Sequence, residues 1–173
     1  MAPVSFARQG LLVSHTEFAV GLISDTHGLL RPEALSALAG SDYIVHAGDI
    51  GRAEILEQLS AIAPTTAVRG NNDKGVWASR IPETEVLHIG PAIIYVIHDV
   101  AALDLDPAAA GFHAVIAGHS HHPSIALREG VLFVNPGSAG PRRFKLPVSV
   151  GCLTVSGTSI KPRLVELTLA GDA

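Results

Sequence analysis

Residues 19–27 read Ala-Val-Gly-Leu-Ile-Ser-Asp-Thr-His: a short apolar run that stops at a carboxylate and an imidazole. A near-continuous apolar run of this length is the signature of a buried strand rather than a half-exposed one. The pattern recurs four times along the chain. Tyr43–Ala47 stops at Gly48-Asp49, Thr66–Arg69 at Gly70-Asn71, Ile93–Ile97 at His98-Asp99, and Ala114–Ala117 at Gly118-His119. Between the first three runs lie two helical patterns. Arg31–Gly40 has proline near its first turn and glycine past its end. Arg52–Ile62 puts Ile55, Leu56, Leu59 and Ile62 on one face and is stopped by Pro64. Strand, helix, strand, helix, strand is the order of an α/β domain with a partly parallel sheet.

Further along, Ser124–Leu127, Val131–Val134, Val148–Val155 and Ile160–Leu169 are strand-like and separated by short turns. They are expected to form a second, more antiparallel sheet packed on the first. Residues 1–17 are expected to be a short N-terminal extension and 18–173 a single domain.

Composition narrows the function classes. With 47% hydrophobic and 16% charged residues, the chain can bury enough surface to fold, which excludes disorder. Twelve basic against sixteen acidic side chains give a net charge of −4, so there is no basic footprint for long nucleic acids. No apolar stretch approaches the ~18 residues of a membrane span. One cysteine, Cys152, permits no internal disulfide and fits a reducing, cytoplasmic setting.

The five strand ends share one chemistry. They deliver Asp25 and His27, Asp49, Asn71, His98, and then His119 and His121, drawn from a chain unusually rich in histidine, with nine. Ligands of open α/β sheets bind beyond the carboxyl ends of strands, so these loops are expected to converge. Seven carboxylate, amide and imidazole donors are too many for one ion and suit two ions sharing a carboxylate. Gly48, Gly70 and Gly118 each precede a donor, where a missing Cβ lets the backbone approach closely.

Asp25-x-His27, Gly48-Asp49, Gly70-Asn71-Asn72-Asp73, His98 and Gly118-His119-x-His121 resemble the ordered motifs of the calcineurin-like metallophosphoesterases. The short length and Asn135-Pro136-Gly137-Ser138 resemble the small YfcE-like phosphodiesterase branch. The likeness runs from about Val20 to Leu169 and implies a four-layer α/β/β/α sandwich of two mixed β-sheets flanked by helices. It implies that Asp25, His27 and His121 hold one metal, Asn71, His98 and His119 the other, and that Asp49 bridges them. It assigns Asp49, Asn71 and His98 to catalysis, with a metal-bridging hydroxide attacking a small phosphodiester. It favours Mn²⁺, with Fe²⁺, Zn²⁺ or Ni²⁺ as alternatives.

Two positions depart from the family pattern. Asn72 stands where most of these enzymes have a histidine that serves the leaving group; an amide donates a hydrogen bond but is no general acid. Asp99 follows His98 where glycine is common, and is read first as a cap and second as a partner of His98. His46 is read as a core residue or a support of the site, Asp73 as a loop acid or the positioner of a neighbour, and His122 as a surface group. Arg142 and Arg143 are read as a solvated pair rather than a phosphate clamp, and Trp77 as packing. Two rivals stay open: a protein-interaction scaffold of the same fold, like the retromer subunit, and a phosphomonoesterase or nucleotidase using the same site. A homo-oligomer is compatible with the sequence.

Overall fold

The computed structural model describes residues 16–169. The proposed extension over 1–17 therefore lies outside the described residues except for Thr16 and Glu17, and Glu17 already pairs with Ser156. Among the described residues, ten strands form two five-stranded mixed sheets. In the first, β1 (Glu17–Ile23), β2 (Tyr43–His46) and β3 (Thr65–Ala67) run parallel, and β9 (Ser149–Ser156) and β10 (Ser159–Glu166) add antiparallel on the free edge of β1. In the second, β5 (Ala92–Ile97), β6 (Ala114–Ile116) and β8 (Val131–Asn135) run parallel between the antiparallel edges β4 (Thr84–Ile89) and β7 (Ser124–Arg128).

Strand alternation builds the layers. Val20 and Leu22 of β1, Ile94 and Val96 of β5, Ile116 of β6 and Leu153 and Val155 of β9 meet in the core between the sheets. On the other face of the first sheet, Ile23, Ile44 and Val150 pack against Ala34 and Leu38 of α1 (Pro32–Leu38) and Ile55 and Leu59 of α2 (Ala53–Ser60). Gly21 faces this layer, where a Cβ would come within 2.6 Å of Leu38. The outer face of the second sheet is covered by Leu103, Leu105 and Phe112, which follow a 3₁₀ turn at Val100–Ala102. The expected fourth layer is thus mostly looped. No helix among the described residues is long and apolar enough to cross a membrane.

One expectation is corrected. The C-terminal strands do not form the second sheet by themselves: β7 and β8 enter it, while β9 and β10 return to the first, and β5 and β6 belong to the second. Local pattern says that a segment is a strand and which residues share a face, but not whose edge it joins. That is decided by burial of Leu153 and Val155 against β1 and β5. Strand β4 has no apolar run to announce it, because as an edge strand it is largely exposed.

Candidate metal centre

The loops after β1, β2, β3, β5 and β6 converge, and all seven expected donors lie together. The backbone bends sharply to bring them there. Seven described non-glycine residues have left-handed backbone, and five of them are Asp25 (φ 54°), His27 (46°), Asp49 (54°), His119 (67°) and His121 (59°). Such conformations cost roughly 1–3 kcal/mol each and persist where surrounding structure over-determines them. Here Asp25, His27 and Gly28 donate their N–H groups to the carbonyls of Gly48, Asp49 and Ile50 at 2.8–2.9 Å, which carries the β1–β2 pairing past the strand ends. Two glycines permit the closest approaches. A Cβ on Gly70 would overlap the backbone N of Asp49, and one on Gly118 would overlap Ser24 Oγ and stand 2.7 Å from Asp25 Oδ2.

The donors fall into two clusters. In the first, His121 Nε2 is 3.2 Å and His27 Nε2 3.8 Å from Asp25 Oδ1, with the two ring nitrogens 3.3 Å apart. Asp25 Oδ2 is occupied by the Ser24 hydroxyl at 2.6 Å and the His119 N–H at 3.1 Å. Its Oδ1 is buried and hydrogen-bonds to nothing among the described residues, and the same holds for His121 Nδ1. In the second cluster, Asn71 Oδ1 lies 3.1 Å from both His98 Nε2 and His119 Nδ1. Asp49 Oδ2 stands between the clusters, 3.8 Å from His27 Nε2 and 3.5 Å from His98 Nε2.

Electron-rich atoms therefore face one another across two small spaces. His98 Nδ1 lies 2.7 Å from the carbonyl of Ala47, the geometry of an N–H donor to that oxygen. That tautomer turns the Nε2 lone pair toward two oxygens, an arrangement that a proton or a metal cation reconciles. Burial alone lowers the affinity of His98 for a proton, but hydrogen bonds to Asp49 and to the Ala47 carbonyl outweigh it and raise its pKa. Burial pushes the Asp49 carboxyl up; hydrogen bonds from His98 and from the side chain and backbone of Asn72 overcome this and hold it below the usual range. His27 is shifted down, chiefly by burial, which the attraction of Asp49 and Asp25 only partly offsets, while Arg143 and His121 add to the fall. Asp25, His27 and His121 form one set of converging atoms suited to a cation, and Asp25, Asp49 and His98 another. An uncompensated buried carboxylate oxygen amid oxygen and imidazole donors fits divalent metal ions, and no thiolate takes part.

A second tier of side chains holds the donors. His46 is fully buried; its Nδ1 accepts from Gly48 N–H at 3.2 Å, so its Nε2–H points at Thr26 Oγ1, 2.9 Å away, which donates to the Ile50 carbonyl. It ties the Asp25–His27 loop to the Gly48–Asp49 loop. Asp73 accepts from Gly70 N–H at 2.9 Å and Gly51 N–H at 2.8 Å, the role of a positioner. Asp99 caps the N–H of Ala101 and lies 3.7 Å from His119 Nε2, so the imidazole it approaches is His119 rather than His98. His122 is exposed, and Trp77 packs on the helix-side core.

Sequence reasoning assigned no contact to three groups. Asn135 Nδ2 donates to the Gly118 carbonyl at 2.6 Å and to Ser120 Oγ at 3.0 Å, and Ser138 Oγ donates to the Asp25 carbonyl at 2.9 Å. The Asn-Pro-Gly-Ser segment is therefore a clamp on both ligand loops; its signals along the chain are its turn chemistry and its resemblance to the YfcE-like branch. Arg143 is not simply solvated, since its guanidinium reaches within 3.4 Å of His27 Nε2.

Residues 18–158 match the calcineurin-like phosphoesterase superfamily domain, and the chain belongs to that superfamily. A relative in Methanothermobacter thermautotrophicus, described as a probable metallophosphoesterase, is 33% identical over 158 residues, covering 85% of this chain and 91% of its own. Three solved structures share the fold. The phosphoesterase YfcE of E. coli has a TM-score of 0.62 at 22% identity, covering 87% of this chain and all of its own. An archaeal phosphodiesterase has a TM-score of 0.70 at 20% identity, covering 85% of this chain and 99% of its own. Vacuolar protein sorting 29 of Cryptosporidium parvum has a TM-score of 0.70 at 21% identity, covering 88% and 99%. This chain is a metallophosphoesterase family member, whose centre implies divalent metal ions.

Proposed function

We propose that the protein is a dinuclear-metal phosphodiesterase acting on small phosphodiesters. The observation that carries this reading is the placement of Asp49 Oδ2 between two donor clusters, within 3.8 Å of His27 and 3.5 Å of His98. Asp25, His27 and His121 would hold one ion, Asn71, His98 and His119 the other, and Asp49 would face both. When bound, such ions polarise phosphoryl oxygens and activate water for in-line attack. The chain's own residues set the stage. Hydrogen bonds from His98 and from Asn72 keep Asp49 ionised, and the two from Asn72 fix its carboxylate. His98 presents Nε2 because Nδ1 is committed to Ala47, and Ser24 turns Asp25 Oδ1 toward His121.

Asn72 donates but cannot protonate a departing alkoxide near neutral pH, so esters with acidic leaving groups are favoured. Oxygen and imidazole donors suit Mn²⁺, Fe²⁺, Zn²⁺ or Ni²⁺, and the family resemblance tilts the choice to Mn²⁺. We place the protein in the cytoplasm, with a small diester rather than long nucleic acid or membrane as its partner. The likeness to vacuolar protein sorting 29 supports a rival reading as a protein-binding scaffold, but the full set of donors favours catalysis.

The test is hydrolysis of bis(p-nitrophenyl) phosphate by metal-stripped protein as Mn²⁺ is titrated back, with Asp49→Asn as control. Metal-dependent turnover that the control loses is expected. Folded, metal-binding protein without turnover on any divalent ion supports the scaffold, and faster turnover of p-nitrophenyl phosphate supports the monoesterase.

A further inference from the structure

A cleft of about 350 Å³ opens beside Asn71, His98 and His119 and runs over the outer face of the second sheet. Its walls combine an apolar floor with polar groups of uneven commitment. Arg69 and Glu83 neutralise each other in an ion pair. Asp99 spends one oxygen on Ala101 N–H and turns the other toward His119. Asp104 lines the cleft, is exposed, and has no hydrogen bond or ion pair with a described residue. Tyr95 is only 7% exposed and its ring stacks on Phe112, yet its hydroxyl makes no hydrogen bond with a described residue. The Asp104 carboxylate and the Tyr95 phenol thus line the same cleft as Asn71, His98 and His119 of the candidate centre.

We propose that this cleft receives the alcohol portion of the substrate and selects a phosphodiester whose alcohol carries an ammonium group. The inference rests on the reading of the centre as a phosphodiesterase. Its physical basis is a matched dipole. The phosphodiester monoanion is drawn to the cationic centre, while the cleft next to it sums to −2 from Arg69, Glu83, Asp99 and Asp104. A neutral alcohol leaves Asp104 without a counter-charge; an ammonium supplies one and also gives the Tyr95 oxygen a donor. A second anionic group on the alcohol is repelled. The cleft's size is at the lower end for small-molecule sites, which fits a short amino alcohol.

The test compares 2-aminoethyl p-nitrophenyl phosphate with 2-hydroxyethyl p-nitrophenyl phosphate on the Mn²⁺-loaded full chain. Calorimetric binding of 2-aminoethyl phosphate and 2-hydroxyethyl phosphate runs in parallel. We expect kcat/KM and affinity both to favour the ammonium compound by about fivefold, the scale of one partly exposed ion pair. Asp104→Asn brings both ratios to about one, and Tyr95→Phe narrows them. Ratios near one in the unsubstituted protein, or ratios kept in Asp104→Asn, overturn the inference. Inertness toward bis(p-nitrophenyl) phosphate instead refutes the phosphodiesterase reading, while the binding ratio still decides the selectivity of the cleft.

Discussion

Lowering the pH should loosen this protein through one buried ring, His46. Burial pushes its pKa down from 6.5 to about 4, with the attraction of Asp25 and Asp73 too weak to compensate. The unfolded chain therefore binds a proton between pH 6.5 and 4 that the fold refuses. Stability from this group is fully present above pH 6.5 and is lost as the pH falls toward 4. Two and a half pH decades correspond to about 3 kcal/mol in total, of which about 2 kcal/mol is lost between pH 7 and pH 5. The whole stability of a domain is about 5–15 kcal/mol, so the effect is measurable. It also reaches the centre, because His46 joins the Thr26 and Gly48 loops. The assay is urea unfolding at pH 7 and pH 5 in excess chelator, for the unsubstituted chain and His46→Gln. The variant should be less stable at pH 7 but about 2 kcal/mol less sensitive to the pH step. Equal sensitivity in both, or a ring proton resonance of His46 titrating near 6.5, refutes the reasoning.

Three further perturbations probe the centre. Gly118→Ala drives a Cβ into Ser24 Oγ and against Asp25 Oδ2, so calorimetry should show Mn²⁺ affinity lower by about 10–100-fold; unchanged affinity contradicts the close-approach argument. Arg143→Ala removes a guanidinium 3.4 Å from His27 and should raise KM for an anionic diester about tenfold with little change in kcat. It should also let the metal-free His27 pKa rise, which an NMR titration reads directly. Asn72→His should raise the rate on alkyl esters relative to p-nitrophenyl esters by about a hundredfold, the contribution of a general acid; an unchanged ratio removes Asn72 from the account of the leaving group.

Much of this protein was legible along the chain. Apolar runs ending at Asp25, Asp49, Asn71, His98 and His119 are written locally, because a buried strand needs continuous apolar residues and its loop must bear the chemistry. Alternation in Gly118-His119-Ser120-His121 predicts both imidazoles on one side of an extended segment; instead both residues have left-handed backbone and go to different clusters, His119 to Asn71 and His121 to Asp25. What the chain could not show locally is which distant atoms meet. That β9 and β10 rejoin the first sheet depends on which open edge buries Leu153 and Val155. That Asp99 faces His119, that Asn135 clamps Gly118, and that Arg143 reaches His27 are contacts between loops many residues apart. So is the left-handed backbone at Asp25, His27 and Asp49, held by the cross-loop bonds from Asp25, His27 and Gly28 to the Gly48–Ile50 turn, and at His119, whose N–H donates to Asp25 Oδ2. Residue type and spacing determined the chemistry on offer; only long-range packing, which no local pattern encodes, decided how those groups are aimed.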